Sequence, residues 1–290
     1  SKWWIPRFFL TESLHVERVL KEQYCKKFRT GFMQPFDAKM TDSLKVLSSS
    51  CSDEQYAQYM DHLVRRINLL NAALDNPKPE NLSKRYQPSY VFLGGANANA
   101  ESGKGFGLLY FYYLAWRADK DDMKKEVSTL QDWLKKVYAL RTSNMNWILL
   151  LVDRQGTVSA ATLAEFWGGT QPVSGEKFVQ PSFTSKGKNA VDYFLKELEE
   201  AYPEAAALSK NKGAFDERYR VLCFEAWKSF ADGFSAGAGR LKDAKEMQDA
   251  AVKMAADGGA YFALINRIST ELEPLVADST MPAWLSQIYR

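Results

Sequence analysis

The chain has 290 residues, 46% of them apolar and 13% aromatic, which is enough for one large core or two joined ones. Lys and Arg number 38 against 35 Asp and Glu, mixed along the chain, so the net charge of +3 argues against a nucleic-acid partner. No run approaches the roughly 18 apolar residues that span a bilayer, and the N-terminus lacks a signal-peptide pattern, so the chain as it stands is expected to be soluble.

From Leu14 to Phe32 the apolar positions Leu20, Tyr24, Phe28 and Phe32 recur every four residues, the pattern of an amphipathic helix. Pro35 opens a second helix, Phe36 to Leu47, and a serine-rich run from Ser48 to Ser52 separates it from a third. Ser52 with Gln55 forms a capping-box pattern. Behind it Tyr56, Met60, Leu63, Ile67, Leu70 and Leu74 alternate steps of four and three, so this helix should be long and central. Asp75-Asn76-Pro77-Lys78-Pro79 stops it, because proline removes a donor and disfavours helical geometry before it.

Residues 75–105 are the least regular part, with prolines at 77, 79 and 88 and then G-G-A-N-A-N-A-E-S-G-K-G. They mark the expected boundary: a helical subdomain over 1–80, a Pro/Gly-rich linker over 81–105 and a second helical subdomain over 106–290. Leu108 to Trp116 begins the next helical stretch, and Met123, Val127, Leu130, Leu134 and Val137 repeat the four-three seam. W-I-L-L-L-V from Trp147 to Val152 fits a buried strand or a buried helix turn, and its helical neighbours favour helix.

The stretch from Leu163 to Leu198 stands apart. Phe166, Trp167, Val179, Pro181 and Phe183 put bulky apolar groups where a loop is ordinarily polar, which predicts a connection pinned into a core. A helix lined by Val191, Phe194, Leu195 and Leu198 follows, then one lined by Phe215, Tyr219, Leu222, Ala226 and Phe230 and closed by S-A-G-A-G around Gly237. A more polar helix runs from Leu241 to Ala256, and Phe262, Ile265, Ile268 and Leu272 form the last strong stripe, before Pro274 and a short segment from Met281 to Tyr289. About ten helices without strand alternation predict an all-α array.

Site chemistry is sparse. Gly103-Lys104-Gly105-Phe106-Gly107 invites a phosphate-loop reading, but Ala98 stands where that loop needs glycine and Gly105 where it needs Ser or Thr, so the segment reads as linker. His15 and His62 each lie on a helix without Cys or His at ligand spacing, which makes a metal site improbable and both residues surface or helix-flank groups. No G-x-S-x-G elbow occurs. Glu197, Glu199 and Glu200 are expected on a solvated helix face, not as an acid/base pair. Cys25, Cys51 and Cys223 are widely spaced and read first as free thiols, with one disulfide as the alternative. The 8 Trp, 14 Tyr and 17 Phe read first as core, with a glycan-stacking groove or a protein interface as the alternatives. No catalytic residue, metal, cofactor or small-molecule substrate is expected.

T-L-A-E-F-W-G-G followed by F-V-Q-P-S-F-T-S-K-G resembles a signature of the IcmF/TssM family of type VI secretion proteins. F-D-E-R-Y-R-V-L-C-F-E-A-W-K-S-F-A-D-G-F and G-G-A-Y-F-A-L-I-N-R-I-S-T-E-L-E-P-L resemble further stretches of that family, while the first hundred residues fit only loosely, so the specific likeness covers the C-terminal half. The abrupt start at S-K-W-W and the end on Tyr289-Arg290 read as cuts through a longer protein. The resemblance implies the helical periplasmic region of a large inner-membrane protein that helps anchor a contractile injection machine. Family members assemble in several copies with an outer-membrane lipoprotein and a second inner-membrane protein. The family's nucleotide-binding domain lies elsewhere in its chain, and its lipoprotein contact lies in a β-rich region that these residues do not resemble. Phe166, Trp167, Gly168, Pro181, Phe183 and Thr184 carry over as a structural signature without a catalytic role. The expected function is a non-enzymatic scaffold acting through protein contacts, with a peptidoglycan- or glycan-binding module as the alternative.

Overall fold

The computed structural model describes residues 8–88, 100–141, 145–255, 259–276 and 281–289. Among the described residues, thirteen α-helices, ten of them seven residues or longer, and one hairpin of two-residue strands make an all-α fold. The chain divides into two compact units, one formed by residues 1–142 with 197–205 and the other by 143–196 with 206–290.

In the first unit α1 (Phe8–Phe28) passes through a π-helical segment, Arg29–Met33, into α2 (Gln34–Val46). Pro35 accounts for the wide turn: it has no N–H to offer the carbonyl of Gly31, and its ring crowds that position, so the regular ladder loosens just ahead of it. The expected apolar face of α1 is covered only in part. Phe28 is buried against Phe106, Tyr110 and Tyr113 of α5 (Ala100–Trp116), with centroids 5.1–6.4 Å apart, whereas Leu20 and Phe32 stay exposed.

Helix α3 (Asp53–Asp75) is the centre of this unit. Ser52 Oγ accepts the Gln55 N–H at 3.1 Å, and Asp53 and Glu54 place negative charge on the first turn, where the helix dipole favours it. Met60, Leu63, Val64, Ile67, Leu69 and Leu70 are fully buried, each worth about 1.5–3 kcal/mol of burial. From Tyr59 to Leu70 every residue is inside, because α3 is enclosed on all its faces rather than along one stripe. That enclosure corrects the expectation for His62, which is buried against the Phe36 ring at 5.2 Å, while His15 is exposed as expected. The short α4 (Pro79–Leu82), α5 and α6 (Lys120–Ala139) complete the packing, α6 lying along α3 through Met123, Val127, Leu130 and Leu134.

The glycine segment expected as linker is helical from Ala100 onward, drawn into α5 by the apolar run behind it, and residues 89–99 of the expected linker lie outside the described residues. The chain passes from one unit to the other at 142/143, 196/197 and 205/206.

The second unit opens with α7 (Trp147–Arg154), the helical alternative for W-I-L-L-L-V. Strand β1 (Ala161–Thr162), α8 (Leu163–Trp167) and β2 (Phe178–Val179) follow, with Ala161 opposite Val179 and Thr162 opposite Phe178. Then come α9 (Ser185–Ala201), α10 (Ala205–Asp232), α11 (Ala244–Ala255), α12 (Ala260–Val276) and α13 (Ala283–Ile288). The last turn of α9, from Glu197, belongs to the first unit. No described helix is long and apolar enough to cross a membrane.

Candidate functional site

The six signature residues all lie in the second unit, around the chain that runs from α8 through β2 to α9. Thr162 caps α8 in a reciprocal box with Glu165, and the helix ends after one turn because Gly168 and Gly169 take positive φ angles of 66° and 72°. A side chain at 169 would also strike the Arg240 carbonyl, with Cβ only 2.3 Å from its oxygen. Trp167 is 9% exposed, and its Nε1–H donates to the Phe234 carbonyl at 3.0 Å. The ring lies 5.5 Å from Phe234 and 5.6 Å from Tyr261, and the neighbouring Phe166 packs on Phe230 and Phe234 at 5.8 and 5.4 Å.

Past β2, Pro181–Phe183 forms a single 3₁₀ turn whose backbone is held by side chains from distant elements. Asp153 accepts the Ser182 N–H at 2.8 Å, the Tyr219 hydroxyl donates to the Ser182 carbonyl at 2.6 Å, and Trp227 Nε1–H donates to the Phe183 carbonyl at 3.0 Å. Thr184 Oγ1 accepts the Gly187 N–H at 3.1 Å and donates to the Pro181 carbonyl, and the Glu271 carboxylate accepts the Ser185 N–H, so two of the orphan donors at the start of α9 are satisfied. Trp227, fully buried, touches Phe230 at 6.0 Å and so joins this turn to the Trp167 cluster. Tyr219 and Trp227 sit in the sequence stretch already singled out. Asp153 and Glu271 carry no sequence signal, since each acts through a backbone partner far along the chain.

The chemistry of this knot is quiet. Burial pushes the Cys223 thiol up to about 12 and the Tyr219 hydroxyl well above its usual range, so both keep their protons near neutrality. Burial also raises Asp153 above its ordinary value, against the Ser182 N–H bond, which lowers it. Cys25, Cys51 and Cys223 are all free thiols.

The first unit carries the charged chemistry. A cleft of about 360 Å³ is walled by α2, α3 and α6 and floored by alternating charges. The buried Arg66 grips Asp37 with both terminal nitrogens and reaches Glu126 at 2.8 Å; Arg117 bonds Glu126 at 2.6 Å and Asp122 at 2.5 Å; Arg29 pairs with Asp122 at 2.7 Å. Burial alone would raise Glu126, but Arg66 and Arg117 outweigh it and hold the carboxyl below its usual range. Arg117 and Arg29 do the same for Asp122. This is a self-neutralising lattice of three guanidiniums and three carboxylates, suited to locking α2, α3 and α6 together.

A second ionic cluster overturns the solvated-face expectation for Glu197. That residue is 2% exposed, buried with Asp61 and Arg65 of α3; Glu199 is half-buried and Glu200 exposed, paired with Arg85 at 2.8 Å. The tail of α9 lies on the enclosing side of α3, so the turn that looked like a charge face is sandwiched there. Among the described residues no group of three or more His, Cys, Asp or Glu is placed to hold a metal ion. Comparison of the chain with protein families, with curated proteins and with solved structures finds no match.

Proposed function

We propose that the chain is a non-enzymatic helical scaffold segment of the membrane-anchoring complex of a type VI secretion system, periplasmic, and acting through contacts with an outer-membrane lipoprotein, a second inner-membrane protein and further copies of itself. One observation carries this reading. The three stretches that resemble the family, separated by tens of residues, meet in one knot: Trp167 of the first touches Phe234 of the second and Tyr261 of the third, while Phe183 is held by Trp227. A likeness confined to residues that fix one another's positions fits a role in holding shape.

Light scattering tests the proposal on the purified chain, alone and mixed with the periplasmic domains of the two partner proteins. A stable complex or a defined oligomer is expected. A monomer that ignores every partner would sink the scaffold reading in favour of a glycan binder. That second reading draws on one feature, a groove of about 450 Å³ in which Pro282 and Trp284 face Val221 and Phe224. Trp147, Trp167 and Trp227 are buried and removed from any stacking role. If the groove binds glycan, Trp284→Ala abolishes retention on isolated peptidoglycan; if the scaffold reading holds, the chain is not retained at all.

A further inference from the structure

We infer that the segment from Glu197 to Ala205 is fastened to helix α3 by a proton-dependent latch, in which the Glu197 carboxyl is the titrating part and Asp61 and Arg65 are its seat.

The latch is built from three side chains, all more than nine-tenths buried: Asp61 at 5%, Arg65 at 7% and Glu197 at 2% exposure. Arg65 stands between the two carboxylates. Its Nη1 lies at ion-pair distance, 2.9 Å, from Asp61 Oδ1, four residues back on the same helix, and its Nε donates a long hydrogen bond to Glu197 Oε2 at 3.5 Å. The guanidinium also lies over the Tyr86 ring, with its carbon 4.9 Å from the centroid, which fixes its plane. Asn68 holds the backbone of the same turn, donating to the Glu197 carbonyl at 2.8 Å. Glu197 itself is therefore seated by one neutral bond, from Asn68, and one ionic contact, with Arg65, and of these two only the ionic contact depends on the charge of its carboxyl.

The charges around it come from every neighbouring element. Helix α3 presents Asp61 and Arg65, while His62 turns to Phe36 and Arg66 to Asp37 and Glu126. Arg85, beyond α4, engages Glu200 at 2.8 Å. Lys135 of α6 engages Glu204 at 2.7 Å. Glu199 and Glu200 are the other carboxylates on the turn itself. Among the described residues close to Glu197, one buried guanidinium thus faces two buried carboxylates. A second full negative charge in this site is costly, since desolvation and the like charge of Asp61 oppose it and Arg65 offsets only part of that cost. Burial accordingly pushes Glu197 up to about 7, with Arg65 lowering it and Asp61 adding to the rise.

Below that range the carboxyl takes a proton from solvent, and the neutral acid sits in its pocket without a charge to desolvate. Above it the proton returns to solvent, and the ionised group gains by leaving the pocket, which frees the segment in the direction of opening.

Hydrogen exchange on the whole chain reads this directly, through protection factors of amides 198–202 at pH 6 and pH 8 after correction for intrinsic exchange. Protection is expected to fall about tenfold between the two, the ratio that follows from a carboxyl that titrates near 7 when seated and near its ordinary value when released. Amides of α6, whose carboxylates Asp122 and Glu126 are held below their ordinary values, serve as control. Glu197→Gln, which mimics the neutral acid, should hold high protection at both values. Asp61→Asn removes the like charge beside Glu197 and should move the fall to lower pH, so it keeps the test open if the first variant does not fold. Equal protection of the wild-type chain at pH 6 and 8, an unchanged fall in Glu197→Gln, or an unmoved profile in Asp61→Asn overturns the latch.

Discussion

Trp167 shows how a single side chain sets the geometry of the second unit. Its ring fills the space between Phe234 and Tyr261, and its N–H satisfies a buried carbonyl, so no smaller residue replaces both contributions. Trp167→Ala should destabilise the unit by about 3–5 kcal/mol, the usual cost of an aromatic cavity. Gly237 is the complementary position. A Cβ there would lie 2.1 Å from Trp167 Cδ1, so Gly237→Ala pushes on the ring itself. In the wild-type background that substitution should cost about 1–3 kcal/mol. With Trp167→Ala already present the cost should shrink, because the ring it strikes is gone. Denaturant midpoints for the two single variants and the double variant close the cycle, and strict additivity would show that 167 and 237 act independently.

At the scale of the element, two helical glycines carry opposite expectations. Gly213 lies inside α10 with no atom within 4 Å of where its Cβ would be, and it has an ordinary helical backbone. Gly213→Ala should therefore raise stability by about 0.5–1 kcal/mol through the lower entropy of the unfolded chain. Gly187, in the first turn of α9, would put a Cβ 1.9 Å from the Pro181 carbonyl oxygen, and that oxygen is fixed by the Thr184 hydroxyl. Gly187→Ala should lower stability and loosen the start of α9. Unfolding curves for both variants test this, and matching signs would defeat it. The same contrast explains what was legible beforehand. Seams such as Tyr56–Met60–Leu63–Ile67 and Met123–Val127–Leu130 were readable because helix periodicity reports the face that meets a partner. Burial of His62, Arg66 and Glu197 was not readable, since it depends on α3 being enclosed and on which distant turn lies over it. That the turn at 181–183 is tied down was suggested by its apolar residues, yet Pro181 and Phe183 are only half-buried and the buried residue is Ser182, and the hands that hold the turn and the helix after it, Asp153 and Glu271, are set by tertiary placement alone.

For the whole molecule, acid and base should act on the two units differently. In the first unit Glu126 and Asp122 are held below their ordinary values of 4.5 and 3.8, so their stabilising contribution is complete above those values and is lost as pH falls through the depressed ones. Glu197 runs the other way: raised from 4.5 to about 7, it contributes most below 4.5 and loses that contribution as pH rises toward 7. The two slopes meet, and the first unit should be most stable near about pH 5. In the second unit Asp153 and Asp216 are both raised by burial, so the contribution of these two carboxyls declines on the alkaline side. Thermal unfolding at pH 3, 5 and 8 should give a maximum at pH 5 for the transition that Glu197→Gln alters. In that variant the loss between pH 5 and 8 should disappear while the loss between pH 5 and 3 remains, because only the alkaline limb belongs to Glu197. A wild-type transition that rises steadily from pH 5 to pH 8 would mean that Arg65 stabilises the ionised carboxylate after all, and that the buried pair behaves as an ordinary salt bridge.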